Sequence, residues 1–250
     1  SDNPIPSAHH HHGRYLVLLD MNGTLCYRSD NPIPGGANTA PCDLYVRNKF
    51  FYGRKGIVNF VDTLYKSGAF CLVPFSSMIQ DSSQAGVWAR IPPGMRAMFP
   101  PTSITHFHCF LQGDTCKPDP EMDKPDPEWD TICDMDKVWK ELPGFGPERT
   151  LLLDNDTRKF RDAPRNGILV PEYGPRQIQQ EDHTTLDDLL AYLLRIADEQ
   201  PDDVRDYLEA HPFENFREQR AAESAMQTSP QPASRTEGHH GAQRQALSCA

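Results

Sequence analysis

Residues 14–25 read RYLVLLDMNGTL. Residues 15–19 form an unbroken apolar run with no turn residue, which predicts a strand buried on both faces, as in a parallel sheet. The run ends at Asp20, and Gly23 then gives the backbone a place to turn sharply. Open α/β sheets keep their ligands at the carboxyl ends of their strands, so a carboxylate at this tip stands where chemistry is done. A strand closed by an Asx turn leaves the same local signature, and the stretch therefore needs companions elsewhere in the chain.

Those companions exist. Segments 69–75 (AFCLVPF), 104–111, 150–153 and 167–170 read as further strands, with Pro74 near the end of its strand, where a lost amide donor is tolerable. Between them, residues 56–67 place Ile57, Phe60, Val61 and Leu64 on one helical face, and Gly68 supplies the stop. Further helices are predicted around 79–90, over 129–142, from the capping-box-like segment 184–187 through Ala197, and over 202–210. Strands alternating with helices define an α/β fold, a doubly wound, Rossmann-like parallel sheet. Residues 26–54 are rich in Pro, Gly and Asn and too long for a plain connection, which predicts a small flap insertion over the end of the first strand. Residues 1–13 read as a disordered, tag-like lead, 14–210 as the α/β domain and 211–250 as a disordered polar tail.

Composition narrows the function. A net charge of −10 argues against nucleic acid as a bulk electrostatic partner, and no apolar run approaches the length of a membrane span. The 7 cysteines are odd in number and contain no CxxC pair, which favours reduced thiols in a cytoplasmic or nuclear protein. His106 and His108 read as strand histidines satisfied by their neighbours, not as ligands.

Three predicted strands end in polar residues that can meet at one rim: Asp20 with Asn22, Ser76 with Ser77, and Asp154 with Asn155. Lys124 comes from a loop able to reach the same rim, and Lys-Pro-Asp-Pro occurs there twice, at 117–120 and 124–127. Asp20 and Asp154 suit Mg²⁺, a hard cation that takes one or two carboxylates together with carbonyls and water. A lysine adds a point charge, and a hydroxyl with backbone amides holds phosphoryl oxygens. Asp20 is then placed to act as a nucleophile toward phosphorus. Arg158, Lys159 and Arg161 form a basic run beyond the second carboxylate, suited to an acidic phosphopeptide or to a solvated face.

The order of these motifs resembles the haloacid dehalogenase superfamily, whose signature is a strand followed by DxDGT or DxDxT. Residues 52–56 with Phe60, then 72–77, 134–139 and 151–160 (LLLDNDTRKF) resemble its carboxy-terminal-domain phosphatase, NLI-interacting-factor-like branch. The likeness spans roughly residues 14–197. It implies Asp20 as nucleophile and metal ligand, Ser76 (or Ser77) as the phosphate-binding hydroxyl, and Gly23 and Thr24 as phosphate-binding neighbours. It further implies Asp154 and Asn155 as metal ligands, with the carbonyl of Asn22 as another. The implied cofactor is Mg²⁺, and the implied partner is a phosphoserine- or phosphothreonine-bearing protein or peptide.

Two departures stand out. The second aspartate of DxDxT, the proton carrier, is Asn22 here, which predicts slow turnover, since general acid–base catalysis contributes about 10²–10⁴-fold. The lysine that precedes an Asp in this branch is Cys133, so Lys124, or failing it Lys117, is expected to supply the charge. Retained carboxylates favour a phosphatase; Asn22 keeps open a catalytically impaired, protein-binding pseudophosphatase.

Overall fold

The protein is described here from a computed structural model, which covers residues 15–35, 38–46, 48–75, 98–104, 106–108, 111, 115–123, 131–182 and 184–228. Strand β1 (Tyr15–Asp20) is buried along its length, with only Asp20 partly open. The chain then runs through the predicted flap: β2 (Cys26–Ser29), β3 (Pro34–Gly35), β4 (Asn38–Thr39), β5 (Leu44–Val46) and β6 (Lys49–Gly53). Strands β2, β6 and β5 form an antiparallel sheet, and β3 pairs with β4. Helix α1 (Ile57–Ser67) follows and ends at Gly68, whose positive φ lets its amide reach back to the Tyr65 carbonyl.

The central sheet is completed by β7 (Phe70–Phe75) and two later strands. After a short helix, α2 (Pro101–Ile104), come β8 (Cys116–Pro118) and β9 (Thr131–Cys133), an antiparallel hairpin, and then helix α3 (Met135–Glu141). Strands β10 (Thr150–Asp154) and β11 (Gly167–Leu169) are followed by helices α4 (Pro175–Gln179), α5 (Thr185–Glu199), α6 (Val204–Ala210) and α7 (Phe213–Thr228). The sheet order is β11-β10-β1-β7, all parallel, so the expected α/β architecture is what forms.

The pleat divides the core. Val17, Leu19, Leu72, Leu151 and Leu153 face α1 and α5, packing on Phe60, Leu64, Leu189 and Leu193. Leu16, Leu18, Val73 and Leu152 face the other way, onto the β8–β9 hairpin and the Met135 and Val138 side of α3. Alternation along β1 and β10 puts Asp20 and Asp154 on this second face.

Several expectations change. Residues 131–133, predicted as part of a helix over 129–142, are a strand: the β-branched pair Thr131-Ile132 pairs with β8, and the helix starts only after Asp134, whose carboxylate caps it by accepting the Lys137 amide. The strand predicted over 104–111 is reduced, within the described residues, to isolated bridges from Phe107 to Leu72 and from Leu111 to Phe75, with Ile104 in α2. Thr184 makes no side-chain cap; Asp182 does that work, accepting from the Thr184 and Thr185 amides at 3.3 and 3.2 Å and from the Thr185 hydroxyl at 3.1 Å. The predicted helix at 79–90 lies outside the described residues.

The largest correction is at the carboxyl end. The tail expected from residue 211 is in fact helical over α7, because its first turns carry two aromatics at an i, i+3 spacing. Phe213 and Phe216 pack on Tyr192 of α5 with tilted rings, at centroid distances of 5.2 and 5.3 Å. Arg220 adds an ion pair to Asp188 at 3.0 Å. The domain therefore extends past the boundary at 210. Polar composition concealed this, since only one edge of α7 needs to be apolar and residues 221–226 stand exposed. Replacing buried Phe213 by Ala is expected to cost about 3 kcal/mol and lower the melting temperature by roughly 6–12 °C. A calorimetric scan showing no change would mean that α7 does not seal this core.

Candidate active site

Asp20 closes β1 and Asp154 closes the adjacent β10; Leu19 is level with Leu153, so the two carboxylates emerge side by side. Neighbouring strands lie about 4.8 Å apart, which brings two acidic groups within reach of a single cation. Asp154 is 2% exposed. Its Oδ1 accepts the Asp156 amide at 2.8 Å, while its Oδ2 is buried with no protein partner. The Oδ2 of Asp20 is likewise buried and unpartnered.

Burial and mutual repulsion act together here. Desolvation, and then the charge of Asp154, push the Asp20 carboxyl well above the usual carboxylate range. Desolvation likewise raises Asp154, opposed by its hydrogen bond from the Asp156 amide and by the charge of Lys159. Hydrogen bonds from the Thr24 side chain and Met21 backbone relieve Asp20 only in part.

The turn after β1 is built against Asn155. Gly23 has φ +95°, and a Cβ there would sit 2.7 Å from the Asn155 amide. Glycine is thus required twice over, by conformation and by space. The Thr24 hydroxyl donates to Asn155 Oδ1 at 3.3 Å. Asn155 therefore couples the two strand tips. Asn22 is exposed, and its Oδ1 accepts the Arg28 amide of β2 at 2.9 Å, tying the flap to the turn. A carboxylate would accept that bond equally well, so nothing in the local packing requires an amide at position 22.

Other predicted residues fall elsewhere. Lys117 donates to Asp162, whose second oxygen accepts the Met135 amide at 2.8 Å, so this lysine is engaged in holding the hairpin to α3. Ser76, Ser77 and Lys124 lie outside the described residues; Phe75, which directly precedes Ser76, is level with Asp20. The arginines of the basic run are engaged within the fold, Arg158 with Asp156 and Arg161 with Asp119 and Glu121, and the nearby Arg165 pairs with Asp206 and Glu209.

Two residues take roles that sequence alone does not give them: there Lys159 reads only as one member of a basic run, and Arg54 has no role at the site. Lys159 is a positive charge acting on both Asp20 and Asp154, and it is anchored by a hydrogen bond from Nζ to the Thr131 carbonyl of β9. Its place directly before the buried Phe160, just beyond the second carboxylate, was the available signal. Arg54 is 1% exposed and reaches the Pro171 carbonyl at 2.6 Å and the Tyr173 ring at 4.9 Å. Tyr173 in turn donates its amide to the Gly23 carbonyl at 2.6 Å and its hydroxyl to Gly53 at 3.0 Å. Residues 171–173 thus strap the turn of β1 to the base of the flap.

The donor set fits Mg²⁺. Two orphaned, buried carboxylate oxygens at one rim match a cation that takes one or two carboxylates and completes its shell with water and substrate oxygens. Among the described residues there is no cluster of three or more His, Cys, Asp or Glu side chains suited to a metal.

The frame is thus a four-stranded parallel sheet with an aspartate at the tip of an inner strand and a flap beyond it. The model of the NLI interacting factor-like phosphatase family matches residues 15–205, and the chain belongs to that family. Two solved structures are similar to it at 10% identity: Fcp1, an essential RNA polymerase II CTD phosphatase (TM-score 0.39, 88% of this chain), and fission yeast Fcp1 bound to beryllium fluoride (TM-score 0.38, 86% of this chain). The chain spans 56% of the length of each. A search of curated proteins returns no match. Among the described residues no helix is long and apolar enough to cross a membrane.

The raised carboxyls have a consequence for stability. Between the ordinary carboxylate range and their folded values the native state holds protons that the unfolded chain has released. Stability of the metal-free protein must therefore fall as pH rises through that window. Asp20→Asn removes one of the two charges. In EDTA it is expected to raise the melting temperature by several degrees at about pH 8 and by much less at about pH 4. An equal loss at both pH values would show that the pair carries no electrostatic strain.

Proposed function

We propose that this domain is a Mg²⁺-dependent phosphomonoesterase acting on phosphoserine or phosphothreonine in a peptide, with turnover slowed by Asn22. The observation that carries this reading is the pair of buried, unpartnered oxygens, Asp20 Oδ2 and Asp154 Oδ2, on adjacent strand tips. Mg²⁺, when bound, supplies the charge that offsets repulsion between a carboxylate and a phosphate dianion and polarises the phosphoryl oxygens.

The chain's own residues supply the rest. The Asp20 carboxylate attacks phosphorus while the ester oxygen departs, leaving an aspartyl-phosphate. Lys159 adds positive charge beside both carboxylates. Ser76, or Ser77, is assigned to hold a phosphoryl oxygen, and Lys124 to add a further charge; both assignments rest on the family resemblance. Lys117 is the weaker candidate because of its bond to Asp162. Arg54 and residues 171–173 position the turn that carries Gly23, and the Gly23 amide itself is spent inside that turn on the Cys26 carbonyl at 2.7 Å.

Asn22 affects the two chemical steps unequally. An amide can neither protonate the leaving oxygen nor take a proton from the water that attacks the aspartyl-phosphate. With p-nitrophenyl phosphate the leaving group needs little protonation, so the first step survives and the second lags. A burst of nitrophenolate, stoichiometric with enzyme and followed by slow turnover, is expected. Asn22→Asp is expected to abolish the burst and raise steady-state kcat by about 10²–10⁴-fold. The rival reading, a protein-binding pseudophosphatase, is favoured by the amide at position 22, which cannot carry the proton that an aspartate would. Absence of a burst, together with no gain from Asn22→Asp in saturating Mg²⁺, would establish that rival instead.

A further inference from the structure

Cys116 and Cys133 face one another across the β8–β9 ladder. The Asp134 amide bonds the Thr115 carbonyl at 2.9 Å, so Thr115 and Asp134 form a hydrogen-bonded pair. Antiparallel ladders alternate, which makes the adjacent Cys116–Cys133 a non-hydrogen-bonded pair. Such pairs bring their Cα atoms to about 4.5 Å with both side chains on one face, inside the window of about 4.4–6.8 Å that a disulfide requires. Both residues belong to one packed cluster with Leu18, Val73 and Leu152, and both are in the thiol form. Both residues are buried, Cys133 at 0% and Cys116 at 8% exposed, so Cys116 is the one of the pair nearer the surface.

We propose that Cys116 and Cys133 are an oxidisable dithiol, a modification site at which hydrogen peroxide closes a cross-strand disulfide beside the carboxylate rim. The Cys116 sulfur attacks peroxide, the O–O bond breaks, and a sulfenic acid and one water form. The Cys133 sulfur then attacks the sulfenic sulfur, the S–S bond forms, and the departing hydroxide leaves as a second water with the Cys133 proton. Two thiols lose two electrons and peroxide gains them. Glutathione, by thiol–disulfide exchange, returns the pair to its resting form.

The position gives the bond something to act on. Strand β8 carries Lys117, which is paired with Asp162, and β9 carries the Thr131 carbonyl that anchors Lys159. A covalent tie between the strands fixes the anchor of the one described lysine that acts on both Asp20 and Asp154. The proposal concerns the hairpin and is read by mass, so it stands or falls independently of phosphatase activity.

The test uses the full chain, reduced, desalted, exposed to hydrogen peroxide, quenched with N-ethylmaleimide and digested without reductant. A peptide pair linked through Cys116 and Cys133, lighter by two hydrogens and separated by dithiothreitol, is expected, with a raised melting temperature before digestion. In Cys133→Ser the Cys116 sulfenic acid should persist and be trapped by dimedone; in Cys116→Ser, Cys133 should remain a thiol. Linkage through Cys26, Cys42 or Cys71, or survival of both thiols at peroxide levels that oxidise the methionines, would overturn the proposal. The wild-type digest decides the question even where a serine variant fails to fold.

Discussion

Two like charges held in register at the ends of adjacent buried strands set the terms for everything around them. Parallel pairing of Leu19 with Leu153 leaves Asp20 and Asp154 no freedom to separate without slipping the sheet. A slip of one residue would turn every side chain on a strand to the opposite layer. With Leu16, Leu18 and Leu19 fully buried, and Leu151 and Leu153 buried beside them, that alternative is closed by the core. Hydrophobic burial along the strands therefore maintains an electrostatic conflict at their tips. Cations resolve such a conflict, whether as Lys159 in part or as a divalent metal more fully.

The rest of the rim is arranged to keep that geometry fixed. Gly23 allows Asn155 to pack where a Cβ would stand, so the two tips interlock instead of merely lying near one another. Behind them, Arg54 is held in a dry environment that lowers its pKa to about 10, yet it remains charged at neutral pH. Burying a guanidinium is costly unless it is paired, and this one answers the Pro171 carbonyl, the Tyr173 ring and Asp182. The flap is attached at both of its ends, through Asn22 to Arg28 and through Tyr173 to Gly53. Both ties run to the turn of β1 or to the 171–173 strap behind it, so the insertion is anchored to the same turn that follows Asp20.

Much of this was legible in the chain itself. The apolar runs ending in Asp20 and Asp154, and the periodicity of Ile57, Phe60, Val61 and Leu64, speak through local pattern, and long buried strands and amphipathic helices are what local pattern reports best. What was missed depends on contacts distant in sequence. Thr131–Cys133 becomes a strand only because Cys116–Pro118 is there to pair with it. Phe213 and Phe216 look like isolated aromatics in a polar tail until Tyr192 is placed beneath them. Lys159 reads as one member of a basic run, and only the tertiary fold separates it from Arg158 and Arg161, whose charges are taken up by Asp156 and Asp119. Charge runs are ambiguous in sequence because each partner is chosen by the fold.

The proposed chemistry needs one divalent ion shared by two carboxylates, and Mn²⁺, which takes the same hard oxygen ligands as Mg²⁺, makes such sharing visible. Anomalous diffraction from crystals grown with Mn²⁺ is predicted to show one peak at bonding distance from both Asp20 Oδ2 and Asp154 Oδ2. A peak bonded to only one of them, or none at saturating Mn²⁺, would contradict it.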